Sequence, residues 1–283
     1  MESLGFKPGQ LSLLAGCPPC QGFSSMRTLN GKHRAVGRGA NMVYQLLRFT
    51  RVLKPQTVML ENVPGLANNW RLRVLIRGLH RLKYHVVSRV LDAADYGVPQ
   101  RRRRLILVGS LLGEPTLAPP RTKRSTVRKT ISLLPVPGNS GDPCHDLSER
   151  RKARVADLIR RIPKDGGSRA DLGAESQLRC HIKSDGFHDV YGRMRWDDVA
   201  PTITGGCVNP SKGRFLHPDQ DRAITLREAA LLQGFPSSYK FALSQGKFRA
   251  AEMIGNAFPP GFVAPHARRL RRQIELARDA KRG

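Results

Sequence analysis

Two cysteines, Cys17 and Cys20, flank Pro18-Pro19 directly after a short apolar run, residues 11–15, and Gly16. Three chemistries suit this spacing. Two thiols separated by two residues can close a disulfide. They can supply half of a zinc site. Or one of them is a nucleophile on a strand-to-loop turn. A redox pair normally opens an amphipathic helix, but here Gln21-Gly22-Phe23-Ser24 follows and no helical pattern starts before residue 41. Zinc needs further ligands. The only other candidates are Cys144-His145 and Cys180-His181, and adjacent ligands are unusual. Burial of both thiols as small hydrophobes leaves the surrounding prolines and glycine without a purpose.

Two further stretches set charged side chains beside apolar runs. Glu61 follows a strand-like run at residues 57–60, and residues 1–112 hold only four acidic side chains against 18 basic ones. Arg101, Arg102, Arg103 and Arg104 precede a second apolar run, residues 105–108. Strand alternation sends Arg102 and Arg104 to one face and Arg101 and Arg103 to the other.

These residues need a scaffold. Residues 11–15 read as a buried strand. Met42, Leu46, Phe49 and Leu53 share one helical face. Leu72, Leu75, Ile76, Leu79 and Leu82 form a helical stripe. Residues 84–90 read as a strand. Strands alternating with helices indicate an α/β sheet with crossover helices. Residues 113–190 are rich in Pro, Gly and charge, with one helix expected over 148–162, capped by Ser148. Thr225 and Glu228 have the spacing of a capping box. A last helix starts after Pro259-Pro260.

Gly16-Cys17-Pro18-Pro19-Cys20-Gln21-Gly22-Phe23-Ser24 resembles the nucleophile motif of the DNA cytosine-5 methyltransferases. Further matches follow in the family's order. They are Glu61-Asn62-Val63, Asp95-Tyr96-Gly97-Val98-Pro99-Gln100 with the Arg run, and Arg195-Trp196-Asp197 with Pro201-Thr202-Ile203-Thr204. Leu226-Arg227-Glu228-Ala229-Ala230, Leu232-Gln233-Gly234-Phe235-Pro236 and Gly255-Asn256-Ala257-Phe258-Pro259-Pro260 complete the set.

The resemblance implies an incomplete Rossmann-like methyltransferase sheet with a smaller, irregular target recognition domain. Residues 1–112 would be the catalytic part, 113–215 the target recognition region and 216–283 the returning helices. It implies transfer of methyl from S-adenosylmethionine to the 5-carbon of a flipped cytosine in double-stranded DNA. Cys20 would be the nucleophile, Glu61 the acid at the ring nitrogen, Asn62 and Arg102 supports, and Arg104 the group at the base carbonyl. Cys17 takes a structural role. Met42, Val43, Asn256 and Ala257 would touch the cofactor. Gln21, Ser24, Arg27, Lys32, Arg34 and Arg38 on the active-site loop, with Arg101 and Arg103, would touch DNA. No metal is implied.

The family's chain normally begins with a strand and a glycine-rich turn for the cofactor. Only residues 1–15 precede the nucleophile motif here. The expectation is therefore a cofactor-binding half that lies elsewhere, on a second chain or upstream of a misplaced or truncated start. The alternative is a catalytically inactive or split-subunit DNA-binding remnant.

Composition agrees with a nucleic-acid partner. The 283 residues carry 49 Lys+Arg against 22 Asp+Glu, a net charge of +27. Five scattered cysteines suit a reducing cytoplasm better than a secreted disulfide framework. No apolar run approaches the ~20 residues of a membrane span. No leader pattern opens the sequence. The expected setting is cytoplasmic, at the nucleoid in a bacterium, as part of restriction-modification.

Overall fold

The computed structural model describes residue 5 and residues 7–19, 41–121, 123–147, 151–173, 189–280 and 282–283. Cys20, Gln21, Ser24, Arg27, Lys32, Arg34 and Arg38 lie outside the described residues, as do Ser148 and the Cys180-His181 pair. The chain divides into two compact units. The first comprises residues 1–92, 103–120 and 263–283, and the second residues 93–102 and 121–262.

The first unit is built on a four-stranded sheet. Its strands are β1 (Leu13–Gly16), β2 (Thr57–Asn62), β3 (His85–Asp92) and β4 (Arg103–Ser110). Their order is β1-β2-β4-β3. β1 and β2 are parallel, joined through helix α1 (Tyr44–Leu53). β4 runs antiparallel to both of its neighbours. The sheet is therefore mixed, with β4 inserted between β2 and β3. The crossover pattern of the sequence holds for β1–α1–β2. After helix α2 (Trp70–Arg81), β3 instead takes the far edge.

This order follows from burial. β2 is buried on both faces through Val58, Met59 and Leu60, and β4 through Leu105 to Val108. Such two-faced apolar strands belong in the centre. β3 carries only half-buried and exposed residues and sits at an edge. On one face Val43 and Leu46 and the α2 stripe Leu72, Leu75 and Leu79 pack over Val58, Leu60, Leu105 and Leu107. Asn69 caps α2 by accepting from the Arg71 amide. The last helix, α6 (Pro260–Asp279; the intervening helices are placed below), is tied to the stretch after β4. His266 Nδ1 accepts from the Ala118 amide at 3.1 Å, and Gln273 Nε2 donates to the Gly113 carbonyl at 3.2 Å.

The second unit has few regular elements. Besides the short helices Val127–Ile131 and Pro143–Asp146, its described residues form α3 (Ala153–Arg161), α4 (Leu226–Gln233) and α5 (Lys247–Asn256). α3 begins at Ala153 behind Lys152, later than the sequence pattern suggested. Thr225 and Glu228 form the expected capping box, and Gly234 ends α4 in the left-handed conformation. The core gathers Ile203, Cys207, Leu226, Ala229, Ala230, Ala250 and Ile254. Arg193 is fully buried. Its guanidinium donates to the Ile162, His217, Gln220 and Ile159 carbonyls and to Asp221.

Candidate active site

The parallel β1–β2 pairing brings two strand ends to one sheet edge. Gly16 stands opposite Leu60, so the next pair along is Cys17 and Glu61. β4 is antiparallel, so its first residues, Arg103 and Arg104, arrive at the same edge. Sheet topology thus collects residues from three separate parts of the sequence.

At this edge Arg104 Nε lies 2.9 Å from Glu61 Oε1, and both side chains are largely shielded, at 15% and 13% exposure. Arg104 Nη1 also donates to the Arg103 carbonyl at 2.8 Å. Asn62 is buried. Its Nδ2 donates to the Pro18 carbonyl at 3.1 Å and its Oδ1 accepts from the Val63 amide at 3.0 Å. Asn62 therefore pins the turn that leads towards Cys20. The sequence pattern ended β2 at Leu60 and began β4 at Leu105. The ladder in fact extends to Asn62 and Arg103, so Glu61, Asn62 and Arg104 are held by backbone hydrogen bonds rather than by loops.

Sequence reasoning missed the position of Cys17. Expected in a structural role, it is exposed directly after β1, with the Glu61 carboxylate beside its thiol. Packing around the sulfur, and then the negative charge of Glu61, push its pKa up to about 12. Cys17 is therefore a protonated thiol at neutral pH, not a thiolate nucleophile. The parallel register of β1 and β2 was the signal that could have found this contact.

Alternation along the Arg run is visible in burial: Arg101 and Arg103 are exposed, Arg102 is buried and Arg104 half-buried. Arg102 belongs to the second unit. Its Nη1 donates to the Ile203 carbonyl at 3.0 Å, and its Nη2 to the Gly255 and Ala257 carbonyls at 3.1 and 3.3 Å. Thr202 Oγ1 donates to the Arg101 carbonyl at 2.7 Å.

Of the residues expected at a cofactor, Met42 is exposed and lines an open apolar groove of about 460 Å³ with Leu14, Pro18, Pro19, Leu46 and Phe49. Among the described residues, Gln45 is the only amide or charged side chain in its lining. Val43 turns its side chain into the core of the first unit. Asn256 is exposed at the end of α5, and Ala257 is half-buried. Cys144 packs in the core of the second unit. Both ring nitrogens of His145 are engaged, by Thr225 Oγ1 at 2.9 Å and the Pro135 carbonyl at 2.8 Å. Among the described residues, no group of three or more His, Cys, Asp or Glu could hold a metal ion.

A family model for C-5 cytosine-specific DNA methylases matches residues 3–272. The chain belongs to that family. It is a methyltransferase, and its relatives include type II methylases of restriction-modification systems. It is 39% identical over 286 residues to the type II methylase M.HgiDII of Herpetosiphon aurantiacus, covering 96% of this chain and 79% of that protein. It is 29% identical over 361 residues to the type II methyltransferase M.AgeI of Thalassovita gelatinovora, covering 92% of this chain and 82% of that one. In fold it resembles the Entamoeba histolytica methyltransferase EhMeth, with a TM-score of 0.56 at 16% identity over 95% of this chain and 78% of EhMeth. That likeness supports the α/β, Rossmann-like class. No described helix is long and apolar enough to cross a membrane.

Proposed function

We propose that this chain methylates the 5-carbon of cytosine in double-stranded DNA through a covalent adduct on Cys20. The observation that carries this reading is the Glu61–Arg104 pair, held at 2.9 Å on the sheet edge from which the chain continues through Pro18-Pro19 to Cys20. Attack of the Cys20 thiolate on the 6-carbon of a flipped cytosine loads electron density onto the 5-carbon and the ring nitrogen. Glu61 answers that density by hydrogen bonding or proton donation at the nitrogen. Arg104 orients Glu61 and offers its remaining N–H groups to the base carbonyl. S-adenosylmethionine supplies the methyl group when bound. The apolar groove beside Met42 and Pro19 suits the flat purine of that cofactor. Among the described residues, the groove lining contains no carboxylate for the ribose hydroxyls.

The exposed Arg101 and Arg103, with Gln21, Ser24, Arg27, Lys32, Arg34 and Arg38, are proposed to contact DNA, mostly at phosphates. Residues 113–215 are proposed as the region that reads the target. The setting proposed is the bacterial cytoplasm. β1 is an edge strand with an open apolar groove beside it. That edge supports a second polypeptide as a source of cofactor-holding strands.

The test is a duplex carrying 5-fluorocytosine in place of cytosine. Fluorine at the 5-carbon cannot leave as a proton does, so a covalent adduct accumulates. Together with the polypeptide that completes the cofactor site, the full chain and S-adenosylmethionine are expected to form a denaturation-resistant protein–DNA complex. Cys20→Ser is expected to form none and Cys17→Ser to form it. Tight DNA binding by the wild-type chain without any adduct would establish the inactive-remnant reading instead.

A further inference from the structure

Four stretches of the second unit that are far apart in sequence meet at one buried polar cluster. Gln100 and Gln233 are fully buried and Arg102 nearly so. Gln100 Oε1 accepts from the Ile203 amide at 3.0 Å. Its Nε2 donates to the Leu232 carbonyl at 3.1 Å and to Gln233 Oε1. Gln233 Nε2 in turn donates to the Ala257 carbonyl. That carbonyl and the Gly255 carbonyl also receive Arg102 Nη2. The two carbonyls that flank Asn256 are therefore both tied inward, one of them by two donors.

Gly255 tightens the arrangement. A Cβ placed there would lie 2.1 Å from the Thr204 carbonyl carbon and 2.2 Å from the Gly205 nitrogen. Only glycine lets the end of α5 lie directly on the 203–205 backbone. Asn256 itself is exposed. Holding an exposed residue in a single backbone conformation costs entropy, and a turn with no ligand to meet has no need of it. Fixing the backbone from below while leaving the side chain open is the arrangement of a preorganised contact.

We propose that Gln233, relayed by Gln100 and Arg102, is a positioning residue that sets the geometry of Asn256 for the cofactor. This rests on the reading that the chain uses S-adenosylmethionine. Gln233 touches neither substrate nor cofactor in this scheme and acts only through the Ala257 carbonyl. Its position at the last turn of α4, directly before the left-handed Gly234, puts the amide within reach of α5.

The test uses the full chain with a cytosine-containing duplex, comparing wild type, Gln233→Leu, Asn256→Ala and the double variant. Two readouts are taken: steady-state methyl transfer at varied S-adenosylmethionine, and amide hydrogen exchange without cofactor. Gln233→Leu keeps the volume and removes the donor. It is expected to speed exchange at residues 255–258 about tenfold while the rest of the second unit is unchanged. It should raise the KM for S-adenosylmethionine about tenfold with kcat within about twofold. In the double variant the KM effect of Gln233→Leu should vanish, because both act through one group. Unchanged exchange at 255–258 overturns the proposal. So does loosening spread evenly through the unit with KM unchanged, the mark of a purely structural glutamine. If the wild-type chain transfers no methyl group, the cofactor reading fails on its own, and the exchange arm still decides whether Gln233 holds the turn.

Discussion

The two units solve the problem of holding an arginine in different ways. In the first, the β2–β4 ladder fixes the backbone at Glu61 and the β3–β4 ladder that at Arg104, and the guanidinium is left to pair with one carboxylate near the surface. In the second, where strands are scarce, guanidinium groups take the place of a ladder. Arg193 collects four carbonyls and Asp221, and Arg102 collects three carbonyls. A buried carbonyl without a donor is costly, so each of these side chains closes several irregular segments at once. The contrast separates a guanidinium available for chemistry from one consumed by architecture. It also warns that an arginine run does not carry one role along its length, since Arg102 and Arg104 fall on opposite sides of this division.

The comparison can be broken most severely at the sheet edge. Cys20→Ser is expected to lower methyl transfer by at least about 10⁴-fold, and Glu61→Gln by about 10²–10⁴-fold, while the midpoint of thermal unfolding barely moves. A large fall in stability for Glu61→Gln would mean that the Glu61–Arg104 pair is structural after all. Arg193→Ala should do the reverse. It strips donors from buried carbonyls and should destabilise the second unit by about 3–5 kcal/mol in denaturant titration. A loss below about 1 kcal/mol would show that water replaces the guanidinium.

Acid should act on both units through one histidine each. Burial pulls His217 and His266 down to about 4, from an ordinary value near 6.5. Folding favours their neutral forms, so their contribution is complete above about pH 6.5 and is lost as pH falls towards 4. Up to about 3 kcal/mol each is at stake, readable as a falling unfolding midpoint across that window. A flat profile there would overturn it. The smallest effect is expected from Cys17→Ser. A hydroxyl can also donate to Glu61, so activity should stay within about threefold of wild type. Loss equal to that of Cys20→Ser would instead point to a thiol pair.

Much of the first unit was legible because its chemistry rides on periodicity. The α2 stripe and the apolar runs of β2 and β4 announce themselves by spacing, as does the Thr225–Glu228 cap of the second unit. What stayed hidden was polar. β2 and β4 extend into Glu61-Asn62 and Arg103-Arg104, where the apolar signal stops but the hydrogen-bond ladder continues. Gln100, Gln233 and Arg193 sit in stretches with no period, and nothing local distinguishes a glutamine that bridges 133 residues from one in solvent. The antiparallel direction of β4 was hidden for a similar reason, since side-chain alternation is the same in either direction.

The pinning of α6 to the stretch after β4 has a consequence for synthesis on the ribosome. The first unit owns residues at both ends of the chain, and the whole of 121–262 is translated between Ala118 and its partner His266. The sheet can pair as soon as β4 emerges. Ala118 must then wait for His266, 148 residues later, and Gly113 for Gln273, 160 residues later, about 7–30 s at about 5–20 residues per second. During that interval the second unit has time to fold first. His266 and Gln273 of α6 then act as a latch, closing the earlier unit only once the later one has been synthesised.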